Sequence, residues 1–287
     1  MGKPSRGVIA VGRLSTDRDR TTSADSAPNA DGTALLAAVG AWLVGVDAAV
    51  CAVIAPEFPT ELIVEITRAG IDLSRVRPVA RQDASSQADM DPVPEQLASL
   101  SPRWSVHLCG LSPGRQREII RAVRERVASI TLDIDLAGAV EPKVNEILAL
   151  AADCDAFLLG RKEAARLWPG EPPREVLRTM ARRGVRAAVI KLGAGGSIGI
   201  RDGAITWMPA FPVSASGTMG GGDAYAGAFA AMFAADRDQT RAMAWATSAA
   251  SVMVESFVAL GQVTEFGRNK VDYRARMLEA EAKARNG

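Results

Sequence analysis

The sequence predicts an α/β fold: a three-layer sandwich in which helices flank both faces of a mainly parallel central sheet, with a small lid region added. Three observations carry that expectation. Short apolar runs with β-branched character recur along the chain, amphipathic stretches of helical period separate most of them, and the runs are continuous rather than alternating. Strands buried on both faces have that signature, and alternation of such strands with helices makes a parallel sheet. The strand runs are Val8–Val11, Ala48–Ile54, Ser105–Leu108, Ile130–Ile134, Ala156–Leu159 and Ala187–Lys191. The helical stretches between them are Glu61–Ala69, Arg115–Ser129, Val144–Ala152, Glu163–Trp168 and Arg174–Arg183.

The apolar stretch from Thr33 to Ala55 is long enough to span a bilayer. Gly45 and Asp47 divide it, however, into an Ala/Leu-rich half that favours helix and the half AAVCAVIA that favours strand. A buried helix, a turn and a strand are therefore expected, not a membrane span. Farther along, SIGIRDGAITWMPA reads as a hairpin with Asp202-Gly203 as its turn dipeptide. Two long helices follow, from about Gly222 to Ala234 and from about Thr240 to Val258, the first so rich in Ala and Gly that it can approach its neighbours closely. The charged stretch VDYRARMLEAEAKARNG closes the chain as a surface helix expected to fray. Two polar stretches, Ser15–Gly32 and Ala80–Ser101, read as loops or lids, either as solvated connections or overhanging one site.

Composition excludes several classes of function. The length of 287 residues suits one large domain or two modest ones. Thirty-four basic against thirty-three acidic residues leave +1, which gives no global field for a nucleic acid or an anionic membrane. Three scattered cysteines without a C-x-x-C pair, and one histidine, argue against a disulfide framework, a Cys/His zinc site or a serine–histidine–acid triad. His107 lies in the strand-like VHLCG and reads as structural. The opening MGKPSRG lacks the apolar stretch of a secretory signal, so the cytoplasm is the expected location.

The strongest chemical signal is SGTMGGGDAYAGAFAAMF. Gly220, Gly221 and Gly222 let successive amides converge, and the helix start adds its positive end, so the bend suits an anion such as phosphate. Asp223, in the first helical turn, would stay ionised there and could accept a proton from a hydroxyl that attacks phosphorus. The plainer reading of the same residues is an N-cap aspartate after a flexible turn.

These residues resemble the ribokinase-like (PfkB) carbohydrate kinase family, whose hallmark D-T-x-G-A-G-D run stands here as Gly217-Thr218-Met219-Gly220-Gly221-Gly222-Asp223. KLGAGGS, with Lys191, Gly193 and Gly196, is similar to the family's K-x-G-x-x-G segment at the nucleotide's phosphates. Asp133 in TLDIDLAG matches the aspartate of a D-x-N motif, and Glu163 in GRKEAARL the acid of N-x-x-E. Near the start, Asp17 is placed like an aspartate that hydrogen-bonds sugar hydroxyls, and Asp31-Gly32 occupies the usual Gly-Gly site. GIDLSRV, residues 70–76, is similar to the segment leading into the family's β-strand lid.

The resemblance implies a single ribokinase-like domain over 1–287, with lid segments near 13–32 and 77–104. It implies an ATP-dependent phosphotransferase acting on a sugar or nucleoside hydroxyl, with Asp223 as general base beside Gly220, Gly221 and Gly222. Lys191, Gly193, Gly196, Thr218 and Glu163 would serve the nucleotide; Glu163 would hold Mg²⁺ through water; Thr16, Asp17, Asp31 and Gly32 would line the acceptor pocket. Relatives often pair through the lid, so a homodimer is compatible with it. Three departures stand out. Gly217 replaces the first acid of the hallmark, which removes support for a K⁺ site; Gly160 replaces the Asn of N-x-x-E; and Leu36 stands where a substrate-contacting Asn is expected. They favour an alternative in which the chain is a non-catalytic nucleotide- or sugar-binding relative with a regulatory role. A Rossmann oxidoreductase is remote, because VGRLSTDR supplies no G-x-G-x-x-G.

Overall fold

Side-chain size along the strands decides how closely each layer of helices can approach the sheet. In a computed structural model of the chain, the described residues are 7–16, 29–79, 91–134, 136, 143–214, 217, 219–255 and 259–286. In order they form β1 (Gly7–Val11), β2 (Ser15–Thr16), β3 (Ala30–Asp31), α1 (Thr33–Leu43), β4 (Asp47–Ile54), α2 (Thr60–Arg68), β5 (Ile71–Pro78) and β6 (Trp104–Cys109). There follow α3 (Pro113–Val123), β7 (Ser129–Asp133), α4 (Val144–Ala152), β8 (Ala156–Gly160), α5 (Arg161–Leu167), α6 (Pro173–Arg182) and β9 (Ala187–Lys191). The last part comprises β10 (Ser197–Arg201), β11 (Ala204–Met208), α7 (Gly221–Asp236), α8 (Gln239–Met253) and α9 (Glu265–Asn286).

Among the described residues, nine strands make one sheet in the order β11-β10-β9-β8-β7-β6-β1-β4-β5, and β2 pairs with β3 in a separate two-stranded sheet. From β9 through to β5 every pairing is parallel; β10 runs antiparallel to both its neighbours. Successive strand residues point to opposite faces. Ile9, Val11, Val106, Leu108, Ile130, Leu132, Phe157 and Leu159 face the core under α3, α4, α5 and α6. The other face presents smaller groups, Val8, Ala10, Ala48, Val50, Ala52, Ala156, Ala187 and Val189, to the core shared with α1, α2, α7, α8 and α9.

That paving of small residues lets α1 and α7 come into backbone contact. A Cβ on Gly40 of α1 would run into the backbone of Ala224, and one on Gly227 of α7 into the backbone of Ala37. The chain thus seats α7 against α1 through two glycines, and α8 then packs on α7 and α9 on α8.

Several sequence expectations are refined. The segment 33–54 is the buried helix, turn and strand expected, with Gly45 at φ 87°. The hairpin turns at Asp202 (φ 50°) and Gly203 (φ 80°), both left-handed as a two-residue turn of this kind requires. Helix α3 stops at Val123 rather than continuing to Ser129, because the Ala128 amide already donates to the Trp104 carbonyl at 2.8 Å and lays the chain beside β6. β5 is an edge strand of the main sheet; only Ile71 in it is buried, so no apolar run marked it, and Pro78 is tolerated at its exposed end.

Residues 91–101 close down on the sheet. Leu97 is fully buried, and Gln96 Nε2 donates to the carbonyls of Ala52 (3.3 Å) and Arg75 (2.9 Å), joining β4 to β5. Helix α9 does not simply fray: Val271, Ala275, Leu278 and Ala282 form a buried stripe at helical spacing, hidden in the sequence by the charges around it. Helix α8 is capped by Asp238, whose side chain accepts from the Arg241 amide at 3.0 Å, and ends at Met253; residues 256–258 of the longer expected helix lie outside the described residues. Among the described residues no helix is long and apolar enough to cross a membrane.

His107 is fully buried on β6 with Nδ1 2.9 Å from the Thr131 hydroxyl of β7. Burial, reinforced by the charge of Lys191, pulls its pKa down from 6.5 to about 3. Its folded pKa lies below its unfolded one, so the unfolded chain binds the extra proton and stability falls as pH drops from about 6.5 towards 3. Denaturant titrations at pH 7.5 and 5 should show wild type losing about 2 kcal/mol more over that interval than His107→Gln. Gly40→Val and Gly227→Val should each cost about 1–3 kcal/mol or more by overpacking, read as a lowered denaturant midpoint. Gly114→Ala, where a Cβ meets nothing within 4 Å, should leave the midpoint unchanged or slightly raised.

Candidate functional site

Parallel strands bring their C-terminal ends to one edge of the sheet, and the crevice beyond that edge is where open α/β sheets bind ligands. Here the last residues of β6, β7, β8 and β9 are Cys109, Asp133, Gly160 and Lys191. Register places Cys109 beside Asp133, Asp133 beside Leu158 and Gly160 beside Lys191. The N-terminus of α7 arrives over this edge, and two depressions meet there.

The first is a polar cleft of about 310 Å³ lined by Thr33, Cys109, Gly110, Asp133, Ile134, Gly160, Glu163, Lys191, Gly222 and Asp223. The second is a groove of about 440 Å³ between the β9–β10 turn and helices α7 and α8. Its walls are mostly apolar, with Phe211, Pro212, Val213, Ala250 and Val254 among them, and Thr247 and Ser251 supply hydroxyls. Lys191 and Gly222 line both, so they stand at the junction.

Of the glycines expected to form a bend, only Gly220 is left-handed (φ 75°), at the N-cap; Gly221 and Gly222 are already the first residues of α7. The amides of a first helical turn have no intrahelical acceptor, so an anion site at this point is the open end of a helix rather than a separate loop. The glycines serve close approach: a Cβ on Gly220 would crowd Leu36, and one on Gly221 would crowd Val254. Leu36 is itself buried against that turn. Asp223 follows in the first turn and faces the polar cleft.

Glu163 sits in the first turn of the short α5 and lines the same cleft. A Cβ at Gly160 would collide with its carboxylate, so the glycine at this position is what lets Glu163 fold back over the strand end. Lys191 is ion-paired with Asp133 and donates to the Gly222 carbonyl at 3.3 Å. Burial alone would lower the lysine's pKa, but Asp133, Asp223 and Glu163 outweigh it and raise it, so Lys191 is a fixed cation among three carboxylates. Burial pushes the Cys109 thiol well above its ordinary value, with Asp223 adding to the effect, so it lines the cleft as an inert thiol.

Gly193 and Gly196 line the apolar groove, in a tight turn where the Leu192 amide meets the Gly196 carbonyl at 2.8 Å and Gly196 has φ 83°. Thr16, Asp31 and Gly32 are gathered elsewhere. Ser15 pairs with Asp31 and Thr16 with Ala30 in the small sheet just before α1, and none of the three lines either depression as bounded by the described residues. Asp17 and Thr218 lie outside the described residues. Arg161 and Lys162, at the start of α5, are exposed. Trp42 packs under Arg268, 3.5 Å from its ring centroid, and Trp245 donates to Glu279 at 2.6 Å, so both serve packing.

Sequence reasoning missed Thr33, which ties two strand ends together: its hydroxyl accepts from the Arg13 amide at 3.3 Å and faces the Cys109 carbonyl at 3.5 Å. It also missed the groove wall from α8, for which Thr247 and Ser251 among the alanines of that helix were the available signal. The Lys191–Asp133 pair, between residues 58 apart, had no sequence signal at all.

Among the described residues no cluster of three or more His, Cys, Asp or Glu is arranged to hold a metal ion. Comparison with solved structures gives likenesses of fold over nearly the whole chain. Aminoimidazole riboside kinase from Salmonella enterica aligns with a TM-score of 0.75 at 16% identity, covering 93% of this chain and 98% of that one. A fructokinase double mutant from Vibrio cholerae O395 with fructose, ADP and potassium ion bound aligns with a TM-score of 0.75 at 14% identity, covering 93% and 99%. Ribokinase from Arabidopsis thaliana complexed with ribose and ATP aligns with a TM-score of 0.71 at 18% identity, covering 96% and 99%. No curated protein matches the sequence. A family description, pfkB family carbohydrate kinase, matches residues 78–261, well over half of the chain. The strand-end crevice, the glycine-rich helix start and that match agree: the chain belongs to the PfkB carbohydrate kinase family.

Proposed function

We propose that the chain transfers the γ-phosphoryl group of ATP to a hydroxyl of a small polyhydroxylated acceptor, a sugar or a nucleoside, with Asp223 as the general base. The observation that carries this reading is the position of Asp223, in the first turn of α7 and on the wall of the polar cleft that shares Lys191 and Gly222 with the apolar groove. The groove suits a nucleotide: apolar walls for a base, the Gly193–Gly196 turn beside it, and the open end of α7 for phosphate. Thr218, just before the helix, belongs to the same proposed set.

Phosphoryl transfer asks for positioning and charge stabilisation more than for covalent chemistry, and this site is built of those. Asp223 accepts the proton of the acceptor hydroxyl as its oxygen attacks phosphorus. The open first-turn amides of α7 would meet the charge that develops, and Lys191 at the end of β9 and Glu163 in α5 line the same cleft. The donor set around the cleft fits Mg²⁺, which keeps several waters and binds through one or two carboxylates plus substrate phosphates rather than in an all-protein cage. Glu163 would hold it through water, and the ion would neutralise phosphate charge.

On the acceptor side, the pocket is assigned to Thr16, Asp17, Asp31 and Gly32, with the segments 13–32 and 77–104 as its lid. The small β2–β3 sheet leads directly into Thr33 of the cleft, which supports that side for the acceptor. A second reading, a regulatory binder of nucleotide or sugar, is favoured by Gly160, Gly217 and Leu36.

A coupled ADP assay over a panel of sugars and nucleosides with Mg²⁺ separates the two; tight binding without ADP formation for any acceptor favours the binder. With an active acceptor, Asp223→Asn should lower kcat by about 10²–10⁴-fold and leave ATP affinity nearly intact. Turnover within twofold of wild type would remove Asp223 from the mechanism. Gly217, in place of an acid, predicts no stimulation by K⁺ in the same assay.

A further inference from the structure

We propose that the outer face of α9 is a self-recognition surface through which two copies of the chain pair, their α9 helices antiparallel about a twofold axis. The inference stands apart from the nucleotide reading above, since no residue of this face lines either depression. It also differs from the lid pairing that the family resemblance implies.

Side-chain placement on α9 is the first observation. Val271, Ala275, Leu278 and Ala282 turn inward, yet large apolar groups also point outward: Phe266 is 68% exposed, Tyr273 65% and Met277 49%. Scattered exposed apolar residues are ordinary, but these are three of the six large ones exposed among the described residues, and they share one strip. At 3.6 residues per turn they lie within about 40° of each other around the helix, and the strip continues through Lys270 and the exposed Ala280 and Ala284. From Phe266 to Ala284 the spacing alternates between four and three residues, which is the spacing of a seam between paired helices. The strip is about 27 Å long. Phe266 is held for contact by Lys270, whose ammonium lies 4.9 Å from its ring centroid and donates to Glu255 at 3.0 Å.

The second observation is that the strip complements itself in one orientation. With the twofold axis level with Ala275, Phe266 rests on Ala284 of the partner subunit, large against small, and Tyr273 meets Met277 of the partner subunit. The same register brings Lys270 beside Glu281 of the partner subunit and Glu265 beside Lys283 of the partner subunit, and the axis repeats each pair. Arg276, near the axis, already donates to Asp272 at 2.8 and 2.9 Å, so the two copies do not confront each other with unanswered charge. A parallel pair would oppose Phe266, Lys270 and Glu281 each to its own counterpart, crowding the rings and repelling the charges. Size and charge that both match their own image under a twofold point to a second copy of the chain as the occupant.

Sedimentation velocity of the full chain over a dilution series at low ionic strength tests this. Wild type should pass from monomer to dimer as concentration rises. Tyr273→Glu should weaken that association by about tenfold or more, with an unchanged thermal midpoint because the side chain is exposed. Glu265→Lys and Lys283→Glu should each weaken it by about threefold, and the double variant should return to within about twofold of wild type, because the antiparallel register sets each residue against the other. Wild type that stays monomeric throughout would overturn the proposal. So would a dimer indifferent to Tyr273→Glu, which would be pairing elsewhere, or a double charge variant no stronger than the single ones, which would exclude this register.

Discussion

The site depends on one packing constraint: α7 lies in backbone contact with α1. Gly40 and Gly227 make the contact, and the small residues on the underlying face of the sheet, Ala10, Ala48, Ala52 and Ala156 among them, allow it. Protein interiors are packed like crystals, so a helix seated through glycine on backbone has little freedom to slide or rotate. The N-terminus of α7, its first-turn amides and Asp223 are therefore carried to a fixed height above the strand ends. A larger residue at either glycine would lift the helix, and the anion site and the proposed base would move with it.

Charge at the strand ends follows from the same placement. Three carboxylates, Asp133, Glu163 and Asp223, lie close enough to Lys191 for each to stabilise its charge. Clustering carboxylates beside the proposed polyphosphate site would repel such a ligand if nothing offset them. The buried lysine offsets part of that charge, and the open helix end adds a positive potential that needs no side chain. The single histidine takes no part. His107 is held neutral on the strand next to Asp133, and its burial links stability to pH rather than to chemistry.

The departures from the family's hallmark acquire physical content in this setting. Leu36, where a polar residue is expected, packs on Gly220 and helps seat the start of α7. Gly160 leaves over β8 the space that the Glu163 carboxylate occupies. Gly217 donates to the Val254 carbonyl at 3.4 Å and so links the approach to α7 to the end of α8.

Much of the architecture is written in local pattern. Continuous apolar runs marked the central strands, helical periodicity marked most helices, Asp202-Gly203 marked the hairpin, and Gly220–Asp223 marked the helix start to which the proposed chemistry is assigned, because each of these signals is a property of neighbouring residues. Tertiary structure decided what no neighbour encodes. β5 exists because β4 offers it an edge to pair with; α9 is ordered because α8 buries four of its small and apolar residues. Lys191 meets Asp133 because β9 and β7, which end 58 residues apart in sequence, both end at the same edge of the sheet with only β8 between them. Sequence alone determined which groups could bind phosphate and accept a proton. Only the register of parallel strands and the close seating of α7 decided that they converge, since convergence depends on distances that local pattern does not contain.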